Sequence, residues 1–168
     1  LVDLAAPGGA LAGGVAALAA ALAAVRLSRW HGLRTLGQPI LWVLHLAYAF
    51  VPLALATKAA WLLAGAPWAA HWLHLQGAGA LAMMILAVMT RATLGHTGRD
   101  LVASPATVLA YVLLALAALS RAFGPALAGG GGAAPLALAG ALWIAAFSLF
   151  LWVYAPMLLR PRPDGKPG

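Results

Sequence analysis

Residues 40–62, "ILWVLHLAYAFVPLALATKAAWL", decide the fold. The run is apolar apart from His45, Tyr48, Thr57 and Lys58. A helix rises about 1.5 Å per residue, so roughly 20 such residues cross a hydrocarbon core about 30 Å thick. A stretch of this length and composition therefore reads as a transmembrane helix. Four further runs meet the same test, at about residues 9–25, 69–90, 105–123 and 134–157. The expectation is an all-α polytopic bundle of about five membrane helices in one transmembrane domain, with a polar tail at 158–168.

The whole chain agrees with this. Of 168 residues, 64% are hydrophobic and only 8% charged, and the mean hydropathy is +0.96. The net charge of +7 does not point to nucleic acid, because the basic residues sit singly or in short groups between apolar runs rather than along one solvated face. With no cysteine, disulfides, covalent haem attachment, thiolate iron–sulfur ligation and a cysteine nucleophile are all excluded. Any metal must be held by His, Met or oxygen. The three acids, Asp3, Asp100 and Asp164, form no pair in sequence, which argues against hydrolytic acid–base chemistry.

Helix boundaries are marked locally. Pro39, Pro105 and Pro135 suit first turns, Ser104 suits an N-cap, and Gly95 is placed to stop the third helix. The run "GGGG" at 129–132 reads as a flexible connector. Arg26, Arg29, Arg34, Arg91, Arg99, Arg160, Arg162 and Lys166 fall on one side of the predicted membrane, against Lys58 and Arg121 on the other. The positive-inside rule then places the C-terminus in the cytoplasm and the N-terminus of this chain outside. Trp61, Trp68 and Trp72 fit an outer aromatic belt, and Trp30, Trp42, Trp152 and Tyr154 an inner one. The first segment, rich in Ala and Gly, suits tight helix packing better than lipid contact. The chain opens on Leu rather than Met and carries Asp3 where a signal peptide would be basic, so a C-terminal piece of a longer protein is expected.

Ionisable side chains at membrane depth are costly and usually have a task. His45 lies about six residues into the second helix, roughly 8 Å below its boundary, with Tyr48 at i+3 and Pro52 at i+7 on one face. It is a candidate axial ligand. His71 and His74 share a face of the third helix and can hold a metal between them or one at a time. His45 and His74 are separated by about 14 Å along the membrane normal on this reading, so two sites are more natural than one. His96 is expected in the turn between Gly95 and Gly98, flanked by Arg91 and Arg99, whose forks suit carboxylates or phosphates. Met83, Met84 and Met89 could bind Cu(I), but methionine in such a helix is far more often filler.

"LAVMTRATLGHTGRDL", residues 86–101, resembles the signature of the NnrS family of bacterial membrane proteins, in which a close variant of "MTRxxLGHTGR" follows an apolar helix. "RWHGLRTLGQPILWVLHLAYAFVPLAL" at 29–55, "HWLHLQGAGALAMM" at 71–84 and "YAPMLLRPRPDGKPG" at 154–168 are similar to the family's neighbouring segments. The resemblance covers about residues 26–168. It implies a multi-pass protein of the bacterial inner membrane, of which this chain is roughly the C-terminal two-fifths, the whole having about twelve membrane helices. It also implies non-covalent haem b and copper, and a role in denitrification and in protection from nitric oxide and nitrosative stress. By matching position, His45, His74, Arg91, His96 and Arg99 carry over as site residues. Two other readings fit the same residues. One is a metal-free transporter or structural membrane protein whose polar loop binds a partner or an anionic headgroup; the other is a haem relay passing electrons to or from quinone.

Overall fold

The computed structural model describes residues 8–129 and 133–165. Asp3, Lys166 and most of the glycine connector, residues 130–132, lie outside the described residues. Five helices are long and apolar enough to cross a membrane: α1 (Ala10–Ser28), α2 (Pro39–Ala64), α3 (Pro67–His96), α4 (Pro105–Leu127) and α5 (Ala133–Leu159). Among the described residues there is no strand. Successive helices run antiparallel, so one end of the bundle gathers the 29–38 and 97–104 connections and the tail after Leu159. Seven of the described arginines belong to this end, and Lys58 and Arg121 lie toward the other.

The helices start where local chemistry predicts. Pro39 and Pro105 occupy first turns, where a missing N–H costs nothing, and the Ser104 hydroxyl accepts a hydrogen bond from the Thr107 backbone N–H at 3.2 Å. Pro52 lies inside α2 and cannot donate to the helix ladder.

α1 packs on α2 and α4 on α5, while α3 lies between the two pairs and touches both. α1 turns its small side chains, Ala12, Gly13, Ala16 and Ala20, inward and leaves Leu11, Leu18 and Leu22 exposed. Small residues let two backbones approach closely, which is how helices associate where lipid offers no hydrophobic advantage. In their most apolar stretches α3 and α4 are each 44% buried, against 22% for α1 and 17% for α5. The core is therefore built around α3, with Leu75, Met83 and Leu86 meeting Val43 and Phe50 of α2, Tyr111 and Leu114 of α4, and Phe150 of α5. Met83 is fully buried packing and Met89 is exposed, an arrangement of filler rather than of convergent sulfur ligands.

α3 is composite. After a 3₁₀ turn at Pro67–Ala69 and one α-turn at Trp72–His74, the backbone widens into a π-helix over Leu75–Leu81 before resuming as α-helix at Ala82–His96. The widened segment puts Gly79 against the Phe50 ring, where a Cβ would overlap it. A π-segment is rare and often marks a functional position; here it directly follows His74.

Two local expectations are corrected. Gly95 does not end α3. The backbone N–H of Arg99 donates to Leu94 O at 2.9 Å and that of Gly98 to Gly95 O at 3.3 Å, with Gly98 at φ +67. This is the hydrogen-bond pair of a Schellman stop, so the left-handed glycine is Gly98 and His96 is still helical. Tyr154 is not an interfacial aromatic: it is 1% exposed, and its hydroxyl shares a 2.9 Å hydrogen bond with the Thr107 hydroxyl. A tyrosine one helical span from the tail satisfies either reading by position alone, and the buried Thr107 partner decides it.

Candidate functional site

At the arginine-rich end, α1, α2 and the connection between them line a half-open cavity of about 690 Å³ with Ser28, His31, Gly32, Arg34, Trp42 and His45 together with aliphatic side chains. Its volume is that of a small-molecule or cofactor site. His45 enters from α2. Its Nδ1 lies 3.1 Å from the carbonyl oxygen of Leu41, one turn earlier in the same helix. A carbonyl only accepts, so Nδ1 carries the proton, and in the neutral ring Nε2 keeps its lone pair. A backbone carbonyl on the far ring nitrogen is the arrangement that orients and strengthens a metal-binding histidine.

The connection is shaped around this ring. Gly32 approaches so closely that an added Cβ would sit 2.8 Å from His45 Cδ2. Trp30 meets His45 edge-on with centroids 6.0 Å apart and leans on Tyr48 at 4.6 Å. The Arg26 guanidinium lies over both aromatic rings, 5.4 Å from Trp30 and 5.9 Å from Tyr48. Such contacts fix the loop without occupying the imidazole's second nitrogen.

The opposite end is built differently. His71 and His74 lie with ring centroids 6.1 Å apart, and Arg121 of α4 is near enough to act electrostatically on His74. His71 lines a separate cavity of about 510 Å³ with Trp68 and Pro125. Lys58, 8% exposed, places its ammonium 4.8 Å from the Trp72 ring centroid. His45 and His71 thus belong to different cavities at opposite ends, and His45 and His74 are not brought together.

The "LGHTGR" block forms the last turn of α3, to His96, and the stop that follows it at Thr97–Arg99. The His96 side chain is exposed, while its backbone carbonyl accepts a hydrogen bond from Arg162 Nη1 at 3.0 Å. Arg162 also grips Asp164 through two contacts, Nε to Oδ1 at 2.9 Å and Nη2 to Oδ2 at 2.6 Å. That hydrogen-bonded fork raises the guanidinium pKa above its ordinary value. Asp164 packs against Gly98, where a Cβ would lie 2.8 Å from its carboxyl carbon. The chain's own tail therefore packs on Gly98 and the His96 carbonyl, leaving the His96 side chain exposed. Arg99 turns back to donate to Thr97 O at 3.1 Å, and Arg91, half-buried, lies near the Tyr111 ring. Neither lines the His45 cavity; the arginine that does is Arg34.

Deeper at the same end, α3, α4 and α5 meet in a polar knot. Ser104, Thr107 and Tyr154 form a chain of hydroxyls at 3.0 and 2.9 Å. Tyr111 is wholly buried beside them, its hydroxyl near Thr90 but without an aligned partner among the described residues, because the Thr90 hydroxyl donates to Leu86 O at 2.8 Å.

Sequence reasoning missed His31. It precedes the second membrane helix and shows no helical spacing to His45, so nothing but its place in "RWHG", next to a glycine, marks it. In the structure it lines the His45 cavity and is the only non-glycine among the described residues with positive φ, at 51.

The fold and these cavities define a polytopic, all-helical membrane protein with histidines at both ends of the bundle. The family model described as "NnrS protein" matches residues 1–162, and the chain belongs to that family. The match takes in α1 as well as the segments from Arg29 onward. No curated protein and no solved structure matches the chain.

Proposed function

We propose that this chain carries b-type haem in the cavity beside His45, with copper as a second metal, and that it serves nitric oxide metabolism or protection from nitrosative stress in the bacterial inner membrane. The observation that carries this reading is the Leu41 carbonyl on His45 Nδ1, which leaves Nε2 as the donor of a side chain that lines a cavity of cofactor size.

The donor set fits haem. Among the described residues no three His, Asp or Glu side chains converge, whereas one or two imidazoles are what a metal already held by four macrocycle nitrogens requires. Glycine at 32 lets the connection pass against the His45 ring without a side chain of its own entering that space. Arg34 supplies a guanidinium for a carboxylate at the rim, and Trp42, Leu46 and Ala49 supply the apolar wall. When bound, haem iron supplies coordination of small diatomic ligands and one-electron exchange. The chain's own residues bind and orient it, and exclude water from its apolar face. His71 and His74, at the other end, are the candidates for a second metal. The arginine-rich end is cytoplasmic on the positive-inside rule, which puts His45 near the cytoplasmic face and His74 near the periplasmic one.

The test is the absorption spectrum and the iron and copper content of the purified full-length protein. Haem absorbance with stoichiometric iron is expected. A colourless protein free of both metals would leave the metal-free transporter reading instead.

A further inference from the structure

We infer that His31 is the second nitrogen donor of the His45 cavity, so that the cofactor is held between α2 and the connection that precedes it. This rests on the haem reading above and adds a residue that neither helical spacing nor the sequence signature marks.

Three observations place His31 there. It lines the same cavity as His45. Its neighbours on both sides are tied to α2: Trp30 packs on His45 and Tyr48, and Gly32 lies on the His45 ring. The residue between two such contacts has little freedom. Finally, His31 adopts φ 51, ψ 38, the left-handed region that glycine fills without strain. Side chains held there by their surroundings cluster at binding sites.

The two imidazoles differ in a way that suits different roles. His45 is half-buried in a membrane helix, with its Nδ1 already committed to Leu41. It is the fixed donor, and its loss removes the cofactor. His31 is exposed, on a short connection. It is the exchangeable donor, and its loss opens a coordination position that an added small ligand takes.

The experiment compares full-length protein with His31→Asn and with His45→Ala. Asparagine tolerates the left-handed backbone but brings no imidazole, so the loop keeps its shape. The expected result for His31→Asn is unchanged haem content, a change from a low-spin to a high-spin absorption spectrum, and return of the low-spin spectrum on adding free imidazole. For His45→Ala the expected result is loss of most of the haem. If His45→Ala loses haem while His31→Asn keeps the parental spectrum, the assignment of His31 is wrong and the haem reading stands. If the parental protein holds no haem, or His45→Ala keeps it with an unaltered spectrum, the placement of haem at His45 and the role of His31 fall together.

Discussion

The two ends of this bundle carry the same kinds of residue in different states of preparation. At the arginine-rich end His45 has its Nδ1 fixed by Leu41, its ring flanked by Trp30 and Gly32, and a cavity of about 690 Å³ beside it. At the other end the His71 and His74 rings sit 6.1 Å apart beside a π-helical segment, with Arg121 acting on His74 and Lys58 over the Trp72 ring. No carbonyl orients either ring among the hydrogen bonds of the described residues. Two histidines on one helical face are thus a weaker sign of a prepared site than one histidine whose second nitrogen is already committed.

The substitution with the largest expected effect on this contrast is Gly32→Val. Its side chain would enter the space of the His45 ring, now 2.8 Å from where a Cβ would stand, at an overpacking cost of about 1–3 kcal/mol. Haem retention should fall severalfold while His71→Ala leaves it unaltered; equal losses would erase the distinction between the ends. Next comes Gly98→Ala, which forces a Cβ into φ +67 and onto Asp164. A loss of about 1–2 kcal/mol is expected, seen as a melting temperature lowered by roughly 2–8 °C. Gly95→Ala, at a helical position with open space around it, should be neutral or slightly stabilising. A reversed order would restore Gly95 as the stop. A smaller loss than that of Gly98→Ala is expected for Thr107→Val, which leaves the buried Tyr154 hydroxyl without its 2.9 Å partner. Hydrogen bonds between membrane helices contribute about 0.6–1.7 kcal/mol. Ser120→Ala, at the other end, removes only a 3.4 Å contact to Pro135 O and should cost less. The two melting temperatures rank these contacts.

What could be read from the sequence follows from which forces act locally. Five apolar runs became five helices because crossing a bilayer depends on length and hydropathy, which any window reports. The gathering of arginines at one end followed from the alternation of those helices. Ser104 was readable because a cap bonds only three residues away. Features set by contacts between distant segments were not readable. His31 gains meaning only when the connection folds onto α2. The choice between Gly95 and Gly98 turns on which residue takes the left-handed conformation, and the tail packed against Gly98 through Asp164, 66 residues on, favours the latter. The π-helix shows in sequence only as the spacing of Gly77 and Gly79, and Tyr154 needed Thr107 to reveal that it points inward. Arg91 and Arg99 carried the family signature, yet the cavity beside His45 is lined by Arg34.

The central claim is that the cofactor belongs to the arginine-rich end. Haem bound per chain, measured by pyridine haemochrome absorbance on full-length protein carrying His45→Ala or His74→Ala, tests it most directly. The account predicts that His45→Ala loses most of its haem and His74→Ala retains it. Haem kept by His45→Ala and lost by His74→Ala would contradict the account.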